Sequence, residues 1–210
     1  MPQSCSLLSL DVEKLACARG GRPVFRDLDF RVEAGQALAL EGANGAGKTS
    51  LLRLLGGFLT PLAGTIRLTV KTGAEITDAE ERGHLIGWLG HHDGVKPQLT
   101  ALENLEFFAR LYGHDADLAR ALDDVGLARA RDLPGQYLSA GMKKRLALAR
   151  LKVSARPLWL LDEPLAALDV KAKELAAKMI AAHCAQGGMV IAATHEPLGL
   201  DCVKLVLGAA

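Results

Sequence analysis

One short stretch near the start of the chain limits its fold more than any other. Residues 42–49 read GANGAGKT, and they lie between an apolar run at residues 37–40 and a helical pattern at residues 49–55. The spacing matches G-x-x-x-x-G-K-[ST] in a strand–loop–helix setting. Glycines let successive N–H groups turn inward, and the helix that follows adds the positive end of its dipole. The stretch therefore predicts a loop that holds the phosphates of a nucleoside triphosphate.

The side chains of this loop have separate predicted tasks. Lys48 can reach the β- and γ-phosphates of ATP and is a catalytic candidate, whereas the Thr49 hydroxyl suits a Mg²⁺ ion. An accidental glycine-rich turn is the alternative interpretation, and the setting between strand and helix argues against it. The residues that we expect to bind the nucleotide here are Gly42, Ala43, Asn44, Gly45, Ala46, Gly47, Lys48, Thr49 and Ser50.

A pair of acidic residues follows the most apolar strand of the chain. Residues 158–163 read LWLLDE, so Asp162 ends the strand and Glu163 comes directly after it. At the carboxyl edge of the sheet, Asp162 is placed to hold Mg²⁺ through water. Glu163 points in a different direction, and we predict that it polarises the attacking water as a general base. Two solvated acids after a strand are the alternative interpretation.

A capped helix begins between these two sites. Residues 137–150 read YLSAGMKKRLALAR, in which Ser139 is a good N-cap for the apolar pattern that follows. A Ser-x-Gly turn at a helix start forms an anion site from backbone N–H groups and the helix dipole. Capped helices are common, so the turn alone is a weak signal. Its position shortly before the strand that ends in Asp162 makes it specific.

The order of these motifs resembles the ATP-binding cassette (ABC) ATPases over nearly the whole chain. The matching segments are the phosphate loop at residues 42–49, the signature at residues 138–142, the Walker B strand at residues 158–162, the D-loop at residues 167–169, and the H-switch at Thr194 and His195. The resemblance implies a homodimer formed through ATP, in which Ser139 and Gly141 of one chain contact the nucleotide held by Lys48 of the other. It also implies that His195 contacts the γ-phosphate and helps to position Glu163.

The resemblance implies an α/β fold of the P-loop NTPase type. We expect an ABC nucleotide-binding domain with an antiparallel β subdomain and a short helical subdomain that carries the signature. Loose alternation at residues 7–16 and 24–32 is typical of half-exposed antiparallel strands. We expect a single domain over residues 1–210, with its core at residues 1–90 and 156–210 and the helical subdomain at about residues 91–155.

Two candidate residues depart from the pattern of the family. Arg19 stands where an aromatic ring usually stacks on adenine, and a guanidinium plane can stack on a base in its place. His92 stands at the position of the Q-loop glutamine, which makes it a candidate for the metal site. Imidazole is a poorer match than an amide oxygen for a hard cation. The alternative is that the His92 loop only transmits motion to a membrane partner.

Finer details resemble the ATPase subunits of cytochrome c maturation, among them GHHDGVK at residues 90–96 and the alanine at the third position of the signature. This implies a peripheral protein on the cytoplasmic face of the bacterial inner membrane that acts in haem handling. The implied partners are an integral membrane permease subunit of the CcmB type and other cytochrome c maturation proteins. Two alternatives remain open: the motor of a lipoprotein or small-solute transporter, and a nucleotide-gated binding module with little turnover.

The segment after the His92 loop is a candidate docking surface. Thr100 caps a predicted helix on which Leu102, Leu105, Phe108 and Leu111 share one face. This face either belongs to the core or, with the loop at residues 91–99, receives a short helix from the membrane subunit.

Composition excludes several classes of protein. The formal net charge of +1 gives no reason to expect nucleic acid as a partner. The longest apolar stretches fall short of the roughly 18 residues of a membrane helix, and no secretory leader is expected. Cys5, Cys17, Cys184 and Cys202 are scattered, which favours four reduced thiols over a metal or redox motif.

Overall fold

A computed structural model describes residues 7–208, which form nine β-strands and six α-helices. The strands are β1 (Leu7–Arg19), β2 (Arg22–Glu33), β3 (Ala37–Glu41), β4 (Ala63–Val70), β5 (Glu75–Ile76), β6 (Ile86–Leu89), β7 (Leu158–Asp162), β8 (Met189–Ala193) and β9 (Val203–Val206). The helices are α1 (Lys48–Leu55), α2 (Ala79–Gly83), α3 (Ala101–Tyr112), α4 (Leu118–Asp124), α5 (Ala140–Ser154) and α6 (Val170–Ala185).

The strands form two sheets. The first is antiparallel with the order β2-β1-β4-β5, and the second is parallel with the order β6-β7-β8-β3-β9. In the parallel sheet β3 and β7 both pair with β8, so Ala39 and Leu161 lie on either side of Ala192. The carboxyl ends of β3 and β7 therefore lie at the same edge of the sheet, which is where ligands bind in open α/β sheets.

Side chains of the parallel sheet alternate between two hydrophobic cores. Leu158 and Leu160 of β7 belong to the core that includes α1 and the antiparallel sheet, whereas Trp159 and Leu161 belong to the core that includes α3, α4, α5 and α6. The alternation follows from the two-residue period of a strand. A parallel sheet covered on both faces explains why these strands read as continuous apolar runs. The predicted fold class is thereby confirmed.

The helix after the His92 loop is only partly a core element. Thr100 and Glu103 form a capping box: the Thr100 hydroxyl accepts from Glu103 N, and the Glu103 carboxylate accepts from Thr100 N. Leu105 is 1% exposed, but Leu111 is 63% exposed. Burial in the core therefore accounts for Leu105 but not for Leu111, which lies at the surface one residue before α3 ends.

Several short elements had no clear signal in the sequence, namely β5, α2 and β9. None of the helices within residues 7–208 has the length and apolarity that a membrane span requires. Cys17, Cys184 and Cys202 are free thiols, and Cys5 lies outside the described residues. Burial raises the pKa of Cys184 to about 11.

Candidate nucleotide-binding site

The phosphate loop joins the end of β3 to the start of α1. Gly47 is the N-cap of α1 and has a φ of 100°, and a Cβ there would lie 2.5 Å from Val24 Cγ1. Gly42 has a φ of 145°, and a Cβ there would lie 2.6 Å from the carbonyl oxygen of Leu207. Both positions require glycine for their backbone conformation and for space. A glycine N-cap has no side chain to occupy the first N–H groups of α1, so these donors are free to bind an anion.

The ammonium group of Lys48 lies above this loop. Its Nζ donates to the carbonyl oxygen of Gly42 over 2.6 Å and contacts that of Ala43 at 3.3 Å. The residue is 8% exposed. A buried ammonium group held by neutral carbonyl groups is available to an anionic ligand, since no carboxylate in the described chain forms an ion pair with it.

Thr49 and Asp162 meet beside Lys48. The Thr49 hydroxyl donates to Oδ2 of Asp162 over 3.0 Å, and Oδ1 lies 3.3 Å away. Asp162 is 7% exposed. A hydroxyl and a carboxylate are oxygen donors of the kind that Mg²⁺ prefers, so this pair fits the predicted metal site.

Glu163 has an unusual backbone conformation. Its φ of 50° places it in the left-handed region, which non-glycine residues rarely adopt. Its N–H donates to the carbonyl oxygen of Ala193 over 2.9 Å, which ties it to the end of β8. The Glu163 carboxylate lies beside His195, whose Nε2 is 3.7 Å from Oε1. The Asp162 carboxylate instead contacts the Thr49 hydroxyl. Strained residues of this kind are frequent at functional sites.

His195 connects the general-base candidate to the phosphate loop. Its Nε2 lies 3.3 Å from Lys48 Nζ and 3.2 Å from Asn44 Oδ1. According to its tautomer, this nitrogen accepts from Lys48 or donates to Asn44. One imidazole nitrogen therefore lies close to Lys48, Asn44 and Glu163 together, so His195 joins the phosphate loop to the general-base candidate.

A cleft of about 800 Å³ is lined by Lys48, Thr49 and Asn44 among others, whereas His195 does not line it and contacts Lys48 and Asn44 from outside. Arg19 and His92, predicted from family positions, both line it, together with Asp162 and Glu163. The lining residues that were not predicted include Arg53, Phe58 and Trp88. Arg53 lies one helical turn after Thr49 on α1, so helical periodicity was a signal for it. Phe58 and Trp88 pack edge to face with ring centroids 4.9 Å apart, a long-range contact without a local signal.

The signature residues do not line this cleft. Ser139 caps α5 by accepting from the N–H of Met142 over 3.2 Å, as predicted, and it is exposed. Gly141 lies against the D-loop, because a Cβ there would be 3.0 Å from the carbonyl oxygen of Ala167. Ser139 and Gly141 are therefore presented at the surface, away from the phosphate loop of their own chain.

The family model described as "ABC transporter" matches residues 25–166, which include the phosphate loop, the signature, and Asp162 with Glu163. This chain is an ATPase domain of the ABC transporter family. The predicted family is confirmed. ABC ATPases bind and hydrolyse ATP, and the cleft around Lys48 is the part of this domain suited to that activity.

Curated relatives of this ABC ATPase cover nearly all of its length. A protein of Rhodopseudomonas palustris (strain BisB5) is 51% identical over 197 residues, which are 93% of this chain and 96% of the relative. A protein of Bradyrhizobium diazoefficiens is 46% identical over 202 residues, 96% of this chain and 98% of the relative. A protein of Brucella abortus (strain 2308) is 45% identical over 195 residues, 92% of this chain and 88% of the relative. All three are named "Cytochrome c biogenesis ATP-binding export protein CcmA".

Solved structures agree with the fold of this ABC ATPase. A putative ABC transporter ATP-binding protein from Pyrococcus furiosus has a TM-score of 0.82 and 25% identity, and covers 95% of this chain and 97% of its own. A dimeric ATP-binding cassette described in a post-hydrolysis state with ADP and Pi has a TM-score of 0.74 and 22% identity, and covers 89% of this chain and 88% of its own. The second likeness supports the fold alone.

Proposed function

We propose that this chain is the ATP-hydrolysing subunit of an ABC export system that serves cytochrome c biogenesis and haem handling. The observation that carries the proposal is the convergence of Lys48, Asp162 and Glu163 on one cleft, in a chain that is 51% identical to a protein named as a cytochrome c biogenesis ATP-binding export protein. The cleft accounts for ATP hydrolysis. The proposed biological process is taken from the names of the relatives, because the ATP cleft does not identify an exported substrate.

The roles of the site residues follow from their chemistry. Residues 42–50 bind the phosphates through backbone N–H groups, and Lys48 stabilises the charge of the β- and γ-phosphates. Glu163 accepts a proton from the attacking water. His195, which lies between Lys48 and Glu163, donates to the γ-phosphate and keeps the water and Glu163 aligned. Arg19 stacks on the adenine at the far side of the cleft.

We propose Mg²⁺ as the metal of this reaction: Thr49 and Asp162 would hold it, and His92, which lines the same cleft, is the third candidate. Bound there, the ion would neutralise charge on the phosphate oxygens. Thr49 and Asp162 supply oxygen ligands, as Mg²⁺ requires. His92 supplies nitrogen, which makes it the weakest of the three proposed metal residues.

We propose that two chains close head to tail around two ATP molecules. Ser139 is exposed and Gly141 is half-buried, and neither lines its own cleft, which supports a contact with ATP in the cleft of a partner. The N–H groups at the start of α5 then face the γ-phosphate from the side opposite Lys48. In this proposal residues 91–155 act as a helical subdomain that carries the signature towards the partner.

The proposed partner is an integral membrane permease subunit, with this chain peripheral on the cytoplasmic face of the inner membrane. A cavity of only about 10 Å³ lies between the His92 loop, α3 and α5, with Val95, Phe108 and Arg150 in its lining, so the surface beside it is the proposed docking surface. Phe107 beside it is 40% exposed and stacks under the ammonium of Lys96 at 4.3 Å. This mixture of apolar and cationic groups suits a short amphipathic helix from the permease.

Cysteine cross-linking tests this docking surface. A cysteine at Lys96, paired with single cysteines along each cytoplasmic loop of the permease, should give a cross-link with one loop. A cysteine at Arg31, on the exposed antiparallel sheet, is the matched control and should give none. Cross-linking of every loop to Arg31→Cys but none to Lys96→Cys would place the docking surface elsewhere.

A deletion strain tests the biological process. Haem staining of membrane proteins should show loss of c-type cytochromes, and expression of the intact chain should restore them while Lys48→Ala should not. Normal cytochromes in the deletion strain would contradict the proposal and favour the motor of a lipoprotein or small-solute transporter. Steady-state ATP hydrolysis by the complex with its membrane partner separates an export motor from a binding module with little turnover.

A further inference from the structure

The loop that carries His92 is anchored to the signature helix by two cations, the buried Lys144 and the half-buried Arg150. Lys144 Nζ lies 3.2 Å from Asp93 Oδ1, and the two side chains are 8% and 21% exposed. Arg150 donates through Nη1 to the carbonyl oxygen of Asp93 over 3.0 Å and through Nη2 to that of Trp88 over 3.3 Å. Lys144 and Arg150 both belong to α5, so one helix holds this loop through a side chain and through the backbone.

The ammonium group of Lys144 is the main partner of the Asp93 carboxylate. Asp93 Oδ1 is buried and has no hydrogen bond within residues 7–208, although the ammonium of Lys144 faces it at ion-pair distance. A buried carboxylate that lost this cation would be left uncompensated. The other charged group that packs against this segment is Arg150, whose guanidinium contacts the backbone of Asp93 and the ring of Phe108 at 4.7 Å.

The other end of the loop is held by hydrogen bonds of a neutral side chain. The buried side chain of Asn104 on α3 accepts from Lys96 N over 2.8 Å and donates to the carbonyl oxygens of Lys96 and Leu99 over 3.1 and 3.0 Å. With both ends held by α5 and α3, the exposed residues of the loop that line the nucleotide cleft are His91 and His92.

The same helix carries the proposed trans contact. Ser139 is the N-cap of α5, and Lys144 follows five residues later, which is about 7.5 Å along a helix axis. A helix of this length transmits displacement as a rigid rod, so movement of Asp93 at one side reaches Ser139 at the other. The ion pair therefore joins the loop that lines the cleft of one chain to the helix that, in the proposed dimer, carries the signature to the partner's cleft.

We infer that Lys144 is a positioning residue: its ion pair with Asp93 makes the His92 loop and the signature helix move as one body, so that ATP in the cleft orients Ser139 for the partner chain. The inference rests on the proposed ATP-driven dimer. Lys144 touches neither the nucleotide nor the reacting atoms. Its effect reaches the reaction only through the orientation of α5.

The experiment measures three quantities in a Glu163→Gln background, which retains ATP: nucleotide affinity of the single chain, the ATP-induced dimerisation constant by analytical ultracentrifugation, and the melting temperature. Lys144→Met should leave nucleotide affinity within about twofold and weaken dimerisation by about tenfold or more, the range of coupling between residues in one network. The matched control is Lys152→Met, which removes another ion pair of α5, to Asp124 within the helical segment, and should dimerise like the parent.

The double variant Asp93→Asn/Lys144→Met separates positioning from stability. Removal of both charges leaves no buried charge unpaired, so its melting temperature should recover relative to Lys144→Met. Dimerisation should stay weak, because the link between loop and helix is still absent. Recovery of dimerisation together with stability would overturn the inference and leave the pair a purely structural contact, as would parent-like dimerisation of Lys144→Met. If the Glu163→Gln parent itself failed to dimerise with ATP, the proposed function would be contradicted first, and this inference with it.

Discussion

The hydroxyl of Thr49 donates a hydrogen bond to Oδ2 of Asp162 over 3.0 Å, although 113 residues separate them in the chain. Thr49 is in the first turn of α1 and Asp162 is the last residue of β7. The contact exists because β3, which leads to α1, and β7 lie on either side of β8 with their carboxyl ends at one edge. It joins the phosphate loop to the acidic pair that the proposed reaction needs.

The contact of Asp162 with Thr49 predicts that replacing Asp162 slows Mg²⁺-dependent ATP hydrolysis. Asp162→Asn should lower Mg²⁺-dependent hydrolysis by about 100-fold, the scale on which loss of one electrostatic partner slows catalysis. Nucleotide binding in EDTA should change little, because the backbone of the phosphate loop is intact. Thr49→Val removes the other proposed metal ligand and should lower the same activity. Thr49→Ser keeps the hydroxyl and is its matched control. Equal ATPase rates for wild type and Asp162→Asn would contradict the metal assignment.

Glu163 is predicted to act as the general base. Glu163→Gln keeps the size of the side chain and its proximity to His195 but cannot accept the proton of water, so hydrolysis should fall by about 10²- to 10⁴-fold while ATP stays bound. Size-exclusion chromatography should show a dimer that persists with ATP and not with ADP. Turnover at the wild-type rate would rule out this role.

Composite sites predict complementation between two inactive chains. Ser139→Arg damages the signature and Lys48→Ala the phosphate loop, so a mixed dimer contains one intact site and one doubly damaged site. A mixture with proven heterodimers should therefore hydrolyse ATP faster than either variant alone. No gain in rate would argue against independently active trans sites.

His92 is predicted to enter the metal site, where the glutamine usual at this position offers an amide oxygen. Imidazole nitrogen is a poorer match for Mg²⁺ than such an oxygen, so His92→Gln should hydrolyse ATP at neutral pH at a rate equal to or higher than that of wild type. His84→Gln removes a histidine outside the cleft and should retain the wild-type rate. Steady-state ATPase assays measure the three rates, and a lower rate for His92→Gln would contradict this account of His92.

His183 predicts a pH dependence of stability rather than of activity. Its ring stacks on Trp159 with centroids 3.8 Å apart, and burial lowers the pKa of His183 from 6.5 to about 4. Between these two values the unfolded chain binds more protons than the folded chain. The contribution of neutral His183 to the free energy of unfolding is therefore complete above about pH 6.5 and is lost as pH falls towards 4. His183→Phe should therefore lose up to about 3 kcal/mol less free energy of unfolding than wild type over that range. Denaturant titrations at pH 7 and 4.5 measure it, and parallel losses in both proteins would contradict the assignment.

Local interactions explain which parts of the fold could be predicted. Ser139 and Thr100 cap the helices that their positions indicate, because a cap involves residues within one helical turn. The apolar run before the phosphate loop is β3, buried on both faces. The edge strand β9 had no such signal, since its hydrogen bonds come from the distant strand β3, and β5 is only two residues long.

The sequence by itself determined the family, the phosphate loop and the candidates for metal and base, since each is a short motif whose spacing reflects backbone geometry. Only the tertiary structure decided that Lys48 and His195, 147 residues apart, lie 3.3 Å from each other. It alone decided that Lys144 faces Asp93, that Phe58 packs on Trp88, and that Ser139 lies outside its own cleft. These contacts depend on the order of strands in a sheet and on the packing of helices against it. Many residues determine that arrangement together, so no single motif contains it.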